Sequence, residues 1–188
     1  MASELIVQTI QGPSSGANAN KVLIPSGHTL DVSGGTLVPS AGAVVQVVHG
    51  TQSGTSSSST STNWIDTGLS VSITPTSTSS KILVLSSTIV AAGKSSTGNP
   101  ARFDLRLVNY NASEIAFDSR YVGTDYQGSG NISSMSSPHG YFSPASTSPQ
   151  TYKLQARIAA GLSSQASTIS LSWYAGGTLT ITAMEIAQ

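Results

Sequence analysis

The longest apolar run of the chain is Lys81-Ile-Leu-Val-Leu-Ser-Ser-Thr-Ile-Val90, where β-branched and aliphatic residues follow one another with little polar interruption. Successive side chains of an extended strand point to opposite faces, so Ile82 and Val84 fall on one face and Leu83 and Leu85 on the other. Both faces then need cover. The pattern predicts a central strand, buried on one side by a second sheet and, in a chain this polar, on the other side by another copy of the chain.

Strict alternation marks the strands that should surround it. Asn63–Thr74 places Leu69, Val71 and Ile73 inward, with Ser70, Ser72 and Thr74 outward. Arg102–Val108 puts Phe103, Leu105 and Leu107 on one face and the ladder Arg102, Asp104 and Arg106 on the other. Tyr152–Ile158 repeats that arrangement, with Tyr152, Leu154, Ala156 and Ile158 inside. The outward charges predict a solvated face with weak cross-strand pairs. Ala43–His49, Glu114–Asp118, Ile169–Tyr174 and Thr178–Ile186 complete a set of short strands, and helical periodicity is missing throughout. This reads as an all-β antiparallel sandwich, jelly-roll-like, over residues 43–188. Gly50–Ser61, almost entirely Ser, Thr and Gly, predicts a loop or an exposed β edge, and Ser119–Gln150 a long loop.

Residues 1–42 follow a different pattern. Leu5–Ile10 could form one short strand, and the turn formers of 12–20 bury nothing. Val22-Leu-Ile-Pro-Ser-Gly27 is then echoed by Thr36-Leu-Val-Pro-Ser-Ala-Gly42, each a short apolar stretch closed by a proline turn. Between them Leu30 and Val32 alternate with polar residues. Such segments bury too little to fold alone, so this part is either a short trimeric shaft or an extended attachment arm lying on a neighbouring protein.

Charge narrows the function classes. Only 9% of the residues are charged, against roughly 25% in an average soluble domain. Eight basic and eight acidic residues cancel, and no window gathers the Lys or Arg needed to neutralise a run of phosphates, so nucleic acid is not an expected partner. Without cysteine there is no disulfide framework, thiolate metal site or thiol nucleophile. The N-terminus lacks the basic start and apolar core of a signal peptide, and no run is long enough to span a bilayer. Synthesis as a soluble cytosolic product follows, with no membrane insertion.

Several phrases carry a resemblance. Ser26-Gly-His-Thr-Leu-Asp-Val-Ser-Gly-Gly-Thr-Leu-Val-Pro-Ser-Ala-Gly42, Trp64-Ile-Asp-Thr-Gly-Leu-Ser-Val-Ser-Ile-Thr-Pro75, Ser80-Lys-Ile-Leu-Val84 and Leu179-Thr-Ile-Thr-Ala-Met-Glu-Ile186 resemble those of small tail-fibre-like virion proteins of marine and cyanobacterial phages. The likeness lies in strand and turn wording rather than a catalytic signature. It implies a trimeric, Ser/Thr-rich β module of the virion, attached to other virion proteins through its N-terminal part. No site residue carries over.

Chemical signatures are sparse. Gly12-Pro-Ser-Ser-Gly16 matches the form of a G-x-S-x-G nucleophile elbow, but Ala-Asn-Ala-Asn follows where a helix is required, so Ser14 reads as part of a linker. Gly93-Lys-Ser95 lacks the first glycine of a phosphate loop and reads as a turn. His28, His49 and His139 form no spaced metal-ligand pair, and the eight carboxylates stand singly, unlike the paired acids of a glycan-degrading enzyme. No enzyme activity, metal or cofactor is expected. The chain reads as a virion structural protein, a short tail-fibre or fibre-like appendage, the alternative being a capsid decoration protein or head fibre. Tyr121, Tyr126, His139 and Tyr141 lie in an aromatic-rich stretch, uncharged from Tyr126 to Tyr152, and are the candidates for contact with a host surface glycan or protein.

Overall fold

The computed structural model describes residues 10–17, 19, 21–30, 38–53, 58–59, 61–94, 101–109, 111, 114–122, 130–158, 166–171 and 178–188. Two compact units divide the chain, Met1–Val38 and Pro39–Gln188.

In the first unit, Gly12 lies so close to Lys21 that a Cβ on it would fall 2.1 Å from the Lys21 carbonyl oxygen. The segment carrying Ser14 is thus a bend folded back on Lys21. At Pro25 the chain turns, with the His28 N–H donating to the Pro25 carbonyl at 3.1 Å and Gly27 at φ 81°. Proline fixes φ for such turns, and glycine is the residue that accepts the positive φ. The expected strand at Leu5–Ile10 lies outside the described residues for all but Ile10, as does Val32 of the alternating segment between the twin phrases.

Among the described residues the second unit has eleven strands: β1 Val44–Ser53, β2 Ser58–Ser59, β3 Ile65–Ile73, β4 Lys81–Lys94, β5 Ala101–Val108, β6 Glu114–Val122, β7 Gly130–Ser136, β8 His139–Phe142, β9 Gln150–Ile158, β10 Ala166–Leu171 and β11 Thr178–Ile186. All pairings are antiparallel, and no helix occurs among the described residues. One sheet runs β1-β11-β4-β10-β2, with β7 and β8 also on β4; the other runs β3-β9-β5-β6. One hydrophobic cluster drawn from both sheets fills the space between them, with Ile82, Val84, Leu179, Ile181 and Ala183 meeting Leu69, Val71, Ile73, Phe103, Leu105, Leu107, Tyr152, Leu154 and Ile158. The alternating strands thus point inward the residues their sequence predicts. Each large side chain so buried contributes roughly 1.5–3 kcal/mol.

The apolar run is the spine of the first sheet. Its first half pairs with β11 on one edge and β8 on the other, and its second half with β10 and β7. β7 and β8 follow one register along β4, interrupted at Ser137–Pro138, where Ser86 donates both its N–H and its hydroxyl to the Pro138 carbonyl. Within the chain itself, the second sheet covers one face of this strand. Ile82, Val84, Ser86 and Thr88 are buried, whereas Leu83, Leu85, Ser87 and Ile89 lie on the opposite face, half-buried or exposed, with no second sheet over them among the described residues of this unit.

One loop expectation changes, and the edge reading of the other is met. Ser119–Gln150 contains the end of β6 and all of β7 and β8, because Ser133, Ser134 and Ser136 extend a strand through their pairing with β4 rather than through apolar alternation. Within Gly50–Ser61, β1 continues to Ser53 and the two-residue β2 forms a sheet edge on β10.

The two sheets approach closely where β1 passes β3. A Cβ on Gly50 would lie 2.2 Å from the Ser70 carbonyl oxygen, so a side chain there forces the layers apart. On β3, Gly68 adopts φ 86° at a break in register between Asp66 and Ser70, where the buried Thr67 hydroxyl donates to the Leu154 carbonyl at 2.8 Å.

Candidate functional site

The sandwich presents two outer faces with opposite chemistry. On the β3-β9-β5 sheet, outward positions carry the charges. Arg157 Nε donates to Asp104 Oδ2 at 3.0 Å, Arg106 Nε to Gln155 Oε1 at 2.9 Å, Gln155 Nε2 to Asp66 Oδ1 at 2.6 Å, and Lys153 Nζ to Asp66 Oδ2 at 3.0 Å. Trp64, just ahead of β3, lies against both guanidiniums, each 4.4 Å from its ring centroid. Cation–π contacts of this kind contribute about 0.5–2 kcal/mol each.

The consequence corrects the expected solvated ladder. Asp104 points away from the apolar core yet is only 1% exposed, held in a charge-assisted pair with Arg157. Hydrogen bonds from Gln155 and then Lys153 hold the Asp66 carboxyl below its ordinary value. On this face Asp66, Asp104, Arg106, Lys153 and Arg157 each have a partner within one network.

The outer face of the β1-β11-β4-β8 sheet is built differently. Register places Tyr141, Leu83, Met184 and Val47 in one row across four strands, and His139, Leu85, Thr182 and His49 in the next. Ile89 and Met135 pair further along β4. Val47 is 54% exposed, Leu85 37%, Met135 69% and Tyr141 57%. His49 Nδ1 meets the Thr182 hydroxyl at 2.9 Å, and His139 Nδ1 lies 3.2 Å from the Ser137 carbonyl. Among the described outward residues of this face, Lys81 carries the charge, and its ammonium donates to the Ser143 hydroxyl at the margin.

One carboxylate of this sheet turns inward. Glu185 is fully buried and accepts at Oε1 from the Thr76 N–H and hydroxyl, both at 2.8 Å, and at Oε2 from Gln46 Nε2 at 2.6 Å. Burial pushes its carboxyl up, but donors from Gln46, Ser80 and Thr76 outweigh that and hold it below its ordinary value. Glu185 therefore ties the turn between β3 and β4 to the β1-β11 pair.

The four host-contact candidates are divided. His139 and Tyr141 share β8 and the apolar outer face, whereas Tyr121 lies on β6 of the other sheet in register with Arg102, and Tyr126 is outside the described residues. Phe142, adjacent in sequence, turns inward and meets Tyr152 edge to face at 5.8 Å. Sequence reasoning missed Val47, Met184 and Trp64 as surface determinants. For Trp64 a signal existed, since it shares strand parity with Asp66. Among the described residues, no three His, Asp or Glu side chains are grouped to hold a metal.

No family model matches the chain, and no curated protein matches it. Among solved structures, it is similar to a chain of infectious bursal disease virus Gx strain, with 16% identity and a TM-score of 0.34, covering 87% of this chain and 37% of that one. A chain of the VP2 subviral particle of the same virus gives 13% identity and a TM-score of 0.26, covering 93% and 49%. The chain spans less than half the length of either.

Proposed function

We propose that this chain is a structural protein of a phage virion, a short tail-fibre or fibre-like appendage that contacts the host surface, and that it has no enzymatic role. One observation carries the reading. The unit Met1–Val38 leaves Ile10, Val22, Leu23, Ile24, Leu30 and Val38 exposed, whereas the unit Pro39–Gln188 closes a complete core between two sheets. A segment that exposes this many aliphatic side chains is stabilised when another protein covers it. That is the physical character of an attachment arm.

The sandwich then supplies the rigid part of the appendage, with Tyr121, Tyr126, His139 and Tyr141 as host-contact residues for a surface glycan or protein. The phrase-level resemblance to tail-fibre-like proteins supports the virion setting. Labelled antibody on intact virions tests the location: label at the tail is expected, and label over the head makes the chain a decoration protein or head fibre. Deleting residues 1–42 should leave a folded β domain that no longer enters the particle. Incorporation of the truncated chain places attachment elsewhere. Tyr126→Ala with His139→Ala should lower adsorption to cells at unchanged melting temperature; unchanged adsorption removes these residues from host contact.

A further inference from the structure

We infer that the outer face of the β1-β11-β4-β8 sheet, centred on the row Tyr141, Leu83, Met184 and Val47, is the surface on which copies of this chain associate with one another. The starting observation is the unequal finish of the two outer faces. The β3-β9-β5 face is closed by its own Trp64, Arg106, Arg157 and Asp104 network. The opposite face has aliphatic, thioether and phenol groups in register and open to solvent.

Area and charge together identify the occupant. The exposed parts of Val47, Leu85, Met135 and Tyr141 amount to roughly 400 Å², the size of the largest patch on a typical monomer, which is often functional. The half-buried Leu83, Met184 and Ile89 and the hydroxyls of Thr180 and Thr182 extend the same surface toward the ~800 Å² that each partner contributes to a standard interface. Association of identical chains about a symmetry axis brings a surface near its own image. Charges close to that axis repel their copies, and burying them unpaired is costly. The β3-β9-β5 face would set Arg106, Arg157, Lys153 and Asp66 against their images. The β1-β11-β4-β8 face sets Leu, Met, Val, Tyr, Thr and the two histidines His49 and His139 against theirs, with Lys81 at the margin and already donating to Ser143. A second copy of this chain fits such a surface, and His139 and Tyr141 then both lie beside a neighbouring subunit.

The inference deepens the proposed virion role, yet its test is separate, because self-association is read on the purified full-length chain and incorporation on the particle. Sedimentation equilibrium of the native chain should give a whole multiple of the chain mass. The double variant Leu85→Lys with Tyr141→Lys should sediment as a monomer with the native circular dichroism spectrum. A native chain that stays monomeric at its highest soluble concentration overturns the inference, as does a folded double variant that keeps the native mass. Should that variant fail to fold, the absence of native cysteine provides a second route. Val47→Cys should be joined between chains by a short bismaleimide while Ser72→Cys, on the other outer face, stays monomeric on a denaturing gel. Equal yields at the two positions, or cross-linking of Ser72→Cys alone, overturn it too.

Discussion

The two outer faces of the sandwich share a core and one antiparallel geometry, yet they handle exposure in opposite ways. On the β3-β9-β5 face, the Arg106 and Arg157 guanidiniums lie against the Trp64 ring while Asp104 sinks to near-complete burial. The β1-β11-β4-β8 face keeps short or apolar side chains upright and open. A chain with so few charges has concentrated several of them on one sheet. What this teaches is that low overall charge is not spread evenly: it leaves one face self-contained and the other in want of a partner.

The largest test breaks the self-contained face at its buried carboxylate. Replacing Asp104 with Ala leaves Arg157 beside Trp64 without the acceptor 3.0 Å away, and losing a charge-assisted hydrogen bond in this partly buried pair costs about 2 to 3 kcal/mol. Chemical denaturation at neutral pH should show that loss. The same measurement on Leu85→Ser should show less than about 1 kcal/mol in the isolated subunit, since Leu85 is already substantially exposed. Equal costs at the two positions would end the contrast between a closed face and an open one.

A smaller effect concerns the carboxylate that the uncharged sheet turns inward. Glu185 accepts from three donors, so Glu185→Gln sets its amide N–H groups against Gln46 Nε2 or the Thr76 donors and should cost about 2 kcal/mol at pH 7. The pH dependence has a definite sign. The folded carboxyl is held below its unfolded value, so the unfolded chain takes up the proton first as pH falls. The stability Glu185 contributes is present above about pH 4 and is lost as pH drops through the folded value. Melting curves of the native chain should fall across that acid range, and those of Glu185→Gln should fall less. Parallel curves would show that Glu185 does not govern the acid response.

The legible part of this architecture is the part written in strict alternation. Phe103, Leu105 and Leu107 on β5, Tyr152, Leu154 and Ile158 on β9, and Leu69, Val71 and Ile73 on β3 announce their face by period two, and all are buried. β7 was not legible, because Ser133, Ser134 and Ser136 give no apolar signal and the strand exists through its pairing with β4. Nor did the continuous apolar run say which of its faces the chain itself would cover, since Ile82 and Leu83 are alike as residues and differ only in what tertiary structure sets against them. Of the candidate contact residues, the aromatic content of 121–142 was visible, but their separation onto two sheets depends on register that composition does not encode.

The smallest expected effect sharpens the comparison within the charged face. Lys153 reaches Asp66 at 3.0 Å, and both side chains are close to half exposed. Water competes for each charge, and two long side chains must be held in place, so such a pair contributes about 0–1 kcal/mol. Gln155 occupies a different position: its Oε1 accepts from Arg106 Nε while its Nε2 donates to Asp66 Oδ1 at 2.6 Å, joining the exposed end of the network to the part beside Trp64. It is also the first cause of the lowered Asp66 carboxyl, ahead of Lys153. Lys153→Met should therefore change stability by less than about 0.5 kcal/mol, with little dependence on salt, while Gln155→Ala should cost about 1 kcal/mol. Denaturant titrations of the two variants at low and high ionic strength decide the matter. If Lys153→Met proves the costlier change and added salt erases its cost, the face is held by exposed ion pairs rather than by the hydrogen-bonded network around Gln155, Arg106 and Trp64.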